Sequence, residues 1–526
     1  MSPSSSTASD GVPPPNGRST VVPRLPQDVA QRFGARTLNR PTTTPDEQTP
    51  GRQATAYLGP SLLVSGGPAG SRTERVRRLA ATNATTGIEM TVDTRLDAVA
   101  EQLASFDPVA RDIVDRYWVS TVHLAPSRDR GPCGPVDAWP VLEQVRLEGL
   151  GRADVRLDHP AFGCPHPNRG YAGAREGERR PVSFVMPPPS SRLRRGRRRP
   201  VVVVPDTGIG QHPWFGDDDI VSREVRVNDV VLGLDGPMNV EAPSPRSPLD
   251  GRVPRYAGHG TFIAGIIRQQ APKARVEGIR IMDDDGAVHE RLLINTLVAL
   301  LVRQTVAVTH SRTEDIFDVL TLSLGYYHEE PGDESTDPVL AGLLRELGSW
   351  GVAVVASAGN DGTTAPFHPA SFAGQATGVR RNSVPLVSVG ALNPNGTTAH
   401  FSNSGPWVSC DRPGVEVIST LPTDIQGTRQ PSESLEHAGK NRGALDPDDF
   451  TGGFGSWSGT SFAAPYLAGQ IAHHLSRSKR LGVTTRKAAV RRGWAAVTRE
   501  LPEWRRIKTT VTDSSGADVR KRKALP

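Results

Sequence analysis

Apolar runs alternate with stretches of helical spacing through the middle of the chain. Val201–Val204 is a run of β-branched residues that leads to Asp206, and Val352–Ser357 is a similar apolar run. Strands are also predicted over Val276–Met282 and Asp318–Leu324, and helices over Glu290–Val302 and Val339–Trp350. Strands that alternate with helices predict βαβ units and a mainly parallel sheet flanked by helices. The pattern therefore predicts an α/β domain over residues 200–476.

A smaller set of elements precedes this domain. The predicted strands are Tyr57–Gly66, Val119–Leu124 and Ala153–Leu157, and the predicted helices are Arg72–Ala81, Thr94–Tyr117 and Val136–Leu147. These elements indicate a small α+β unit over residues 56–165. Residues 1–55 are rich in Pro, Ser, Thr and Gln and have no apolar period, so we expect them to be disordered.

Two basic segments flank the α/β domain. Residues 166–199 contain prolines followed by an arginine cluster, Arg192–Arg199, which predicts an exposed, extended linker. Residues 477–526 form a basic tail with a predicted helix around Arg486–Thr498. Arginines could contact phosphates, but no aromatic residues are interleaved with them and the net charge is only +6. We therefore favour a solvated linker over a nucleic-acid site.

The apolar content and the cysteines indicate where in the cell the protein is expected. No uncharged apolar stretch approaches the roughly 18 residues that span a bilayer, so no membrane partner is expected. Met1–Ala30 lacks the charged and apolar regions of a signal peptide. Cys133, Cys164 and Cys410 do not form a disulfide framework, and none has a partner at metal-ligand spacing. These features favour a cytoplasmic protein.

Three short motifs supply candidate chemistry. Gly459–Pro465 places Ser461 between a glycine turn and the start of a helix, where free N–H groups and the helix dipole favour developing negative charge. A serine hydroxyl needs a base and a group that orients the base before it can act as a nucleophile. Asp206 ends a predicted strand, and His259 stands at the start of an apolar helical segment. The chain thus offers a carboxylate, an imidazole and a hydroxyl in that order.

A fourth candidate, Asn360, follows the apolar strand Val352–Ser357. Its side chain could donate an N–H to an oxyanion beside the backbone N–H of Ser461. Taken singly, a strand-end Asp is more often a helix cap and an Asn after Gly a turn residue. Their joint occurrence in order favours the catalytic interpretation.

With these motifs the chain resembles the subtilisin-like serine proteases, the subtilase family. The matching segments are the turn around Asp206, Gly258–Thr261, Ser323–Gly325, Ala358–Asn360, Phe401–Pro406, Pro413–Val415 and Gly459–Pro465. The resemblance implies a serine endopeptidase that hydrolyses peptide bonds of peptide or protein substrates through an acyl-enzyme intermediate.

Residue by residue, the resemblance implies a nucleophile at Ser461, a general base at His259, an orienting carboxylate at Asp206 and an oxyanion donor at Asn360. It implies that Ser323, Leu324 and Gly325 form an edge strand that pairs with the substrate. It also implies that Ala358 and Gly359 line the pocket for the residue before the scissile bond.

Several alternatives stay open. The N-terminal unit is either a prodomain that occupies the active site, an intramolecular inhibitor cleaved between about Asp158 and Pro200, or an unrelated accessory domain. A catalytically inactive subtilase-fold binding protein is the alternative to an enzyme. The resemblance implies no organic cofactor and no catalytic metal. Asp217–Asp219 and Asp283–Asp285 could offer calcium ligands, although acidic turns are the commoner explanation.

Overall fold

The computed structural model describes residues 25, 27–38, 53–127, 136–163, 179–184, 186–193, 196–216, 219–234, 241, 251–330, 337–373, 382–479 and 481–506. The N-terminal part contains helices and strands in an α+β arrangement. In chain order these are α1 (Gln27–Phe33), β1 (Ala35–Leu38), β2 (Thr55–Leu58), β3 (Ser61–Ser65), α2 (Arg72–Thr86), β4 (Ile88–Val92), α3 (Asp97–Ala104), α4 (Pro108–Tyr117), β5 (Val119–Pro126), α5 (Ala138–Leu147) and β6 (Val155–Leu157).

The N-terminal unit is built on a four-stranded antiparallel sheet in the order β4-β5-β3-β6. Alternate residues of β3 point to opposite faces, so Leu62 packs with α5 residues such as Leu142 while Leu63 joins the core shared with the following domain. Asn295 of that domain accepts from the backbone N–H of Val119 and donates to its carbonyl, both at 3.0 Å. The unit therefore lies directly against the rest of the protein.

The expected disorder of residues 1–55 is wrong for residues 27–38. The side chains of Val29 and Phe33 on α1 are buried against Leu58 and Ala287. Strand β1 pairs antiparallel with β2. Two apolar residues at helical spacing are enough to dock so short a helix, but they are too few to stand out as a period in the sequence. Residues 1–24, 26 and 39–52 lie outside the described residues.

The remaining elements form an α/β domain. They are β7 (Pro160–Gly163), β8 (Arg180–Pro181), β9 (Val201–Asp206), β10 (Val221–Ser222), β11 (Arg226–Val227), β12 (Val230–Val231), α6 (His259–Gln270), β13 (Arg275–Arg280), β14 (Ala287–His289), α7 (Glu290–Thr309), β15 (Val319–Leu322), β16 (Leu324–Gly325), α8 (Pro338–Ser349), β17 (Ala353–Ser357), β18 (Val387–Leu392), β19 (Cys410–Pro413), β20 (Val417–Thr420), β21 (Ser434–His437), β22 (Lys440–Gly443), β23 (Phe454–Trp457), α9 (Thr460–Ser476) and α10 (Arg486–Glu500).

The centre of this domain is a seven-stranded parallel sheet in the order β10-β13-β9-β15-β17-β18-β19. Helices α7 and α8 pack on one face, and α6, α9 and α10 pack on the other. Because parallel strands share a direction, their carboxyl ends meet at one edge. Asp206 ends β9, and Asn360 follows β17 by a short turn, so the predicted α/β fold brings both to this edge.

Helix α7 is long and apolar enough to span a bilayer by length and composition alone. In the structure most of the helix is buried inside the protein. Packing against α4 and α8 accounts for its apolar character.

The boundaries expected for the linker and the tail are also corrected. Within the predicted linker 166–199, β8 pairs with β23, and Arg198 forms an ion pair of 2.9 Å with Asp318. Within the predicted tail 477–526, helix α10 buries Val490 and Val497 in the core beside α9. Both segments therefore contribute to the α/β domain, and the predicted helix in the tail is confirmed.

Candidate active site

Asp206 and His259 meet at the carboxyl edge of the sheet. Asp206 is the last residue of β9 and His259 the first of α6, and their Oδ1 and Nδ1 atoms are 2.7 Å apart. The backbone N–H of Thr207 donates to the same carboxylate oxygen at 2.8 Å. Both side chains are buried. A proton held on Nδ1 by the carboxylate leaves Nε2 of the neutral imidazole as a proton acceptor.

Ser461 lies beside this pair but is not hydrogen-bonded to it. Its hydroxyl donates to the carbonyl of Ser323 at 3.1 Å, and the Ser323 hydroxyl donates to the Ser461 carbonyl at 3.0 Å. The ring of Phe462, the next residue, lies 5.5 Å from the His259 ring. His259 Nε2 has no hydrogen-bond partner among the described residues. Rotation about the Ser461 Cα–Cβ bond is the movement that would turn the hydroxyl away from Ser323.

Asn360 is oriented by the residue that precedes Ser461. Its Oδ1 accepts from the backbone N–H and from the hydroxyl of Thr460, both at 2.9 Å. Since a backbone N–H can only donate, this contact identifies Oδ1 and assigns the donor role to Nδ2. Gly359 N–H in turn donates to the Thr460 hydroxyl at 3.1 Å. Hydrogen bonds therefore hold the Asn360 amide against the start of the helix that carries Ser461.

The predicted substrate strand is already paired. Leu324–Gly325, which is β16, pairs antiparallel with β7, and β7 pairs on its other side with β14. The segment that follows the N-terminal unit therefore forms the central strand of a three-stranded sheet at the cleft.

Ala358 and Gly359, predicted to line a substrate pocket, lie next to the cleft at the end of β17. The Ala358 carbonyl accepts from Asn403 Nδ2 at 2.9 Å. Gly359 has a φ of +97°, a backbone conformation that L side chains rarely adopt. Their role as pocket residues stays a prediction.

Glu241 is a site residue that the sequence analysis missed. Its buried carboxyl accepts from the backbone N–H of Gly258 at 2.7 Å and from the hydroxyls of Thr207 and Thr261. Burial raises the pKa of this carboxyl to about 8, although the two threonine hydrogen bonds oppose the rise. Glu241 thereby links the turn after Asp206 to the helix start around His259.

The sequence indicates a group such as Glu241 only through the residues that form hydrogen bonds with it. A threonine follows Asp206 directly and another stands two residues after His259. Buried hydroxyls need hydrogen-bond partners, so these two positions indicate a further polar group nearby without identifying it.

Two of the acidic residues that could offer calcium ligands, Asp283 and Asp285, contact a cationic side chain. Asp283 and Asp285 form ion pairs with Arg32 at 2.9 and 3.0 Å. Asp217 and Asp218 lie outside the described residues. A bound cation would have to displace the guanidinium.

One group among the described residues has metal-ligand spacing: His159, His328 and Glu329. Both ring nitrogens of His159 face carboxylates, Glu290 at 2.8 Å and Glu329 at 2.9 Å. Burial disfavours the charged ring, but these carboxylates raise the pKa of His159 to about 10. In the structure His159, Glu290 and Glu329 form a buried cluster of ion pairs.

Known proteins resemble this chain over its α/β domain. A thermophilic serine proteinase of Bacillus sp. (strain AK1) is 28% identical over 240 residues, which are 44% of this chain and 45% of that protein. Thermitase of Thermoactinomyces vulgaris is 27% identical over 222 residues, which are 40% of this chain and 59% of that protein. The chain spans about half the length of the curated relatives it matches.

Solved structures include fervidolysin from Fervidobacterium pennivorans, described as a keratinolytic enzyme related to subtilisin. It aligns with a TM-score of 0.43 and 19% identity, over 80% of this chain and 55% of that one. The model of the subtilase family matches residues 197–512, more than half of the chain. This match begins at the arginine segment before β9 and extends beyond α10, and with it the chain is shown to belong to the subtilase family.

Proposed function

We propose that this protein is a serine endopeptidase that hydrolyses peptide bonds through an acyl-enzyme intermediate. The observation that carries the proposal is the 2.7 Å contact between buried Asp206 and His259 Nδ1, on a helix packed against the helix of Ser461. Family membership of residues 197–512 supports the same reaction class.

Each group has a defined task in the proposed reaction. The Ser461 hydroxyl turns from the Ser323 carbonyl, gives its proton to His259 Nε2 and attacks the substrate carbonyl carbon. Asp206 stabilises the imidazolium that forms. Asn360 Nδ2 and the backbone N–H of Ser461 donate to the oxyanion. The imidazolium then protonates the leaving amine, and water attacks the acyl-enzyme by the reverse steps.

The N-terminal unit acts in this proposal as an intramolecular inhibitor. Strand β7 pairs with β16, the strand that a bound peptide would use, and it continues directly from the last strands of the unit. A chain held in this position excludes other peptides. Cleavage in the segment between Gly163 and Arg179 would free the strand and open the cleft.

The test compares the wild-type chain with Ser461→Ala and with Ser458→Ala, a control at a nearby serine. We expect a fluorophosphonate probe to label the wild type and the control but not Ser461→Ala. Casein should be cleaved by the labelled proteins alone. Folded wild-type protein that neither reacts with the probe nor cleaves casein after removal of the N-terminal unit would support the inactive binding protein instead.

Self-processing is read from the mass of each chain. We expect the wild type to be recovered in two pieces and Ser461→Ala as one intact chain. Intact wild-type chains that nevertheless cleave casein would contradict the inhibitory role of β7.

A further inference from the structure

Strand β7 marks the path of a peptide in the cleft. Gly163 lies opposite Leu324, and Phe162 lies opposite Gly325. The N–H of Gly163 donates to the carbonyl of Gly286 at 2.9 Å, and its carbonyl accepts from the hydroxyl of Tyr256 at 3.2 Å. Main-chain bonds of this kind hold any extended peptide, so sequence selection must come from the space around each side chain.

The space beside Gly163 is filled by Tyr256. A Cβ atom added to Gly163 would lie 2.8 Å from Cε1 and 3.0 Å from Cδ1 of the tyrosine ring, and 3.6 Å from Cε1 of His259. Contacts of 2.8 Å are shorter than real Cβ atoms make. Any residue other than glycine at this position would therefore have to displace the ring.

The ring is held in place by its surroundings. A Cβ atom on Gly286 would lie 2.2 Å from Cγ of Tyr256, so the ring rests directly on the glycine backbone. The ring also packs edge-on beside His259, at 5.9 Å between centroids, and the residue is only 8% exposed. Its backbone N–H donates to the Asp284 carbonyl at 3.0 Å. Retreat of the ring would disturb the imidazole that the reaction needs.

The register of β7 against β16 shows how far the position of Gly163 lies from the peptide bond that would be cleaved. The Ser461 hydroxyl lies on the carbonyl of Ser323, at 3.1 Å. A substrate residue opposite Ser323 is therefore the one whose carbonyl the nucleophile reaches, and the residue opposite Leu324 precedes it. We propose that Tyr256 restricts the second substrate residue before the scissile bond to glycine, a specificity that rests on the proposed peptidase function.

The first test measures kcat/KM on a peptide series that differs only at this position, with Gly, Ala, Ser or Leu. Wild-type enzyme freed of its N-terminal unit should prefer Gly over Ala by at least about tenfold, a difference of about 1.4 kcal/mol in transition-state stabilisation. Tyr256→Ala should reduce that preference to about twofold or less. Tyr256→Phe keeps the ring and loses the hydroxyl, so it should retain the preference while cleaving every peptide more slowly. Equal cleavage of Gly and Ala peptides by the wild type would overturn the proposal.

A second test does not depend on peptidase activity. In the intact Ser461→Ala chain, Gly163→Ala should lower the midpoint of denaturant unfolding when Tyr256 is present and have little effect when Tyr256 is replaced by Ala. A double-mutant cycle with no coupling would overturn the steric proposal even if the enzyme cleaves peptides. A coupled cycle in a protein that cleaves no peptide would instead leave the steric contact established and count against the peptidase function.

Discussion

At the scale of single residues, the contact between Thr460 and Asn360 bears most directly on the proposed reaction. Thr460 fixes Oδ1 of the amide through two hydrogen bonds of 2.9 Å. In the proposed reaction the amide nitrogen is then positioned for an oxyanion before the substrate binds. A preset donor stabilises the transition state without reorganising during the reaction.

Asn360→Ala should therefore lower kcat by about 100- to 1000-fold with little change in KM, the loss known for removal of the side-chain oxyanion donor in subtilisin. Steady-state kinetics on a peptide substrate measures both constants. Thr460→Val is the matched control. It removes the hydroxyl but keeps the backbone N–H bond to Asn360, so its loss in kcat should be clearly smaller. A folded Asn360→Ala protein with wild-type kcat would remove the amide from the mechanism.

Glu241 leads to a second prediction at this scale, which concerns how the stability of the fold changes with pH. The direction of that change follows from the raised pKa of the Glu241 carboxyl. The folded protein favours the protonated form, since the pKa rises from 4.5 to about 8. The stability it contributes is complete below its ordinary pKa and is lost as the pH rises to about 8. Above that value both the folded and unfolded states carry the charge and the loss levels off.

We expect the unfolding free energy of Ser461→Ala protein to fall, relative to the same chain with Glu241→Gln, by about 1.4 kcal/mol per pH unit between about pH 5 and 8. Denaturant titrations across this range measure the difference. Glu436→Gln, at an exposed position, should follow the parent chain. A pH-independent difference would show that Glu241 does not change its protonation in this range.

Sequence reasoning found the residues that stand in contiguous motifs and missed those that act across the chain. Asp206 ends a strand, Asn360 follows one, and His259 and Ser461 stand at helix starts. Their local patterns therefore place them at one edge of the sheet. No local sequence pattern distinguishes Glu241, because its hydrogen-bond partners lie in the segments around Asp206 and His259. The proposed effect of Tyr256 likewise depends on the close approach of Gly163 and Gly286.

At the scale of elements, the same limit applies to short or basic segments. Helix α10 carries many arginines, and only a narrow stripe that includes Ala489, Val490 and Val497 is buried. A narrow apolar stripe hardly changes the average hydropathy of a basic segment. The sequence therefore predicted a helix within a basic tail and gave no sign that this helix belongs to the core. In the structure α10 packs on α9, the helix that carries Ser461 near its start.

Helix α10 should therefore stabilise the domain measurably. Val497 is fully buried, so Val497→Ala removes two methyl groups from a packed site and should lower the unfolding free energy by about 1 to 3 kcal/mol. Val483→Ala, at a residue 43% exposed, should cost less than about 0.5 kcal/mol. Chemical denaturation of both variants in the Ser461→Ala chain makes the comparison. Equal midpoints would mean that α10 is not part of the cooperative core.

At the scale of the whole molecule, buried charges join the N-terminal unit to the α/β domain. His159 follows the last strand of the unit and lies between the carboxylates of Glu290 and Glu329, with all three side chains fully buried. Arg156 approaches Glu290 at 3.3 Å, and Arg146 approaches Glu329 at 3.5 Å. Such pairs cost desolvation energy when they form, yet removal of one partner leaves a buried charge uncompensated. The cluster therefore favours one docked arrangement of the two parts.

We expect the stability that this cluster contributes to depend on pH. Two carboxylates raise the pKa of His159 to about 10 against the opposing effect of burial, from an ordinary value of 6.5. A raised histidine pKa contributes stability that is complete below about 6.5 and is lost as the pH rises to about 10. The arginines remain charged throughout this range.

His159→Gln in the Ser461→Ala chain should lower the unfolding free energy by about 3 to 5 kcal/mol near neutral pH, because Gln offers no positive charge to Glu290 and Glu329. The difference from the parent chain should shrink between about pH 7 and 10, since the parent loses the same charge there. His123→Gln, whose parent side chain is 54% exposed, is the control and should follow the parent chain at each pH. Denaturant titrations at a series of pH values measure all three chains. Parallel stability curves for the parent and His159→Gln would mean that the imidazole is neutral in the folded protein, and that the two parts are held together by apolar contacts such as those around Leu63 and Val119.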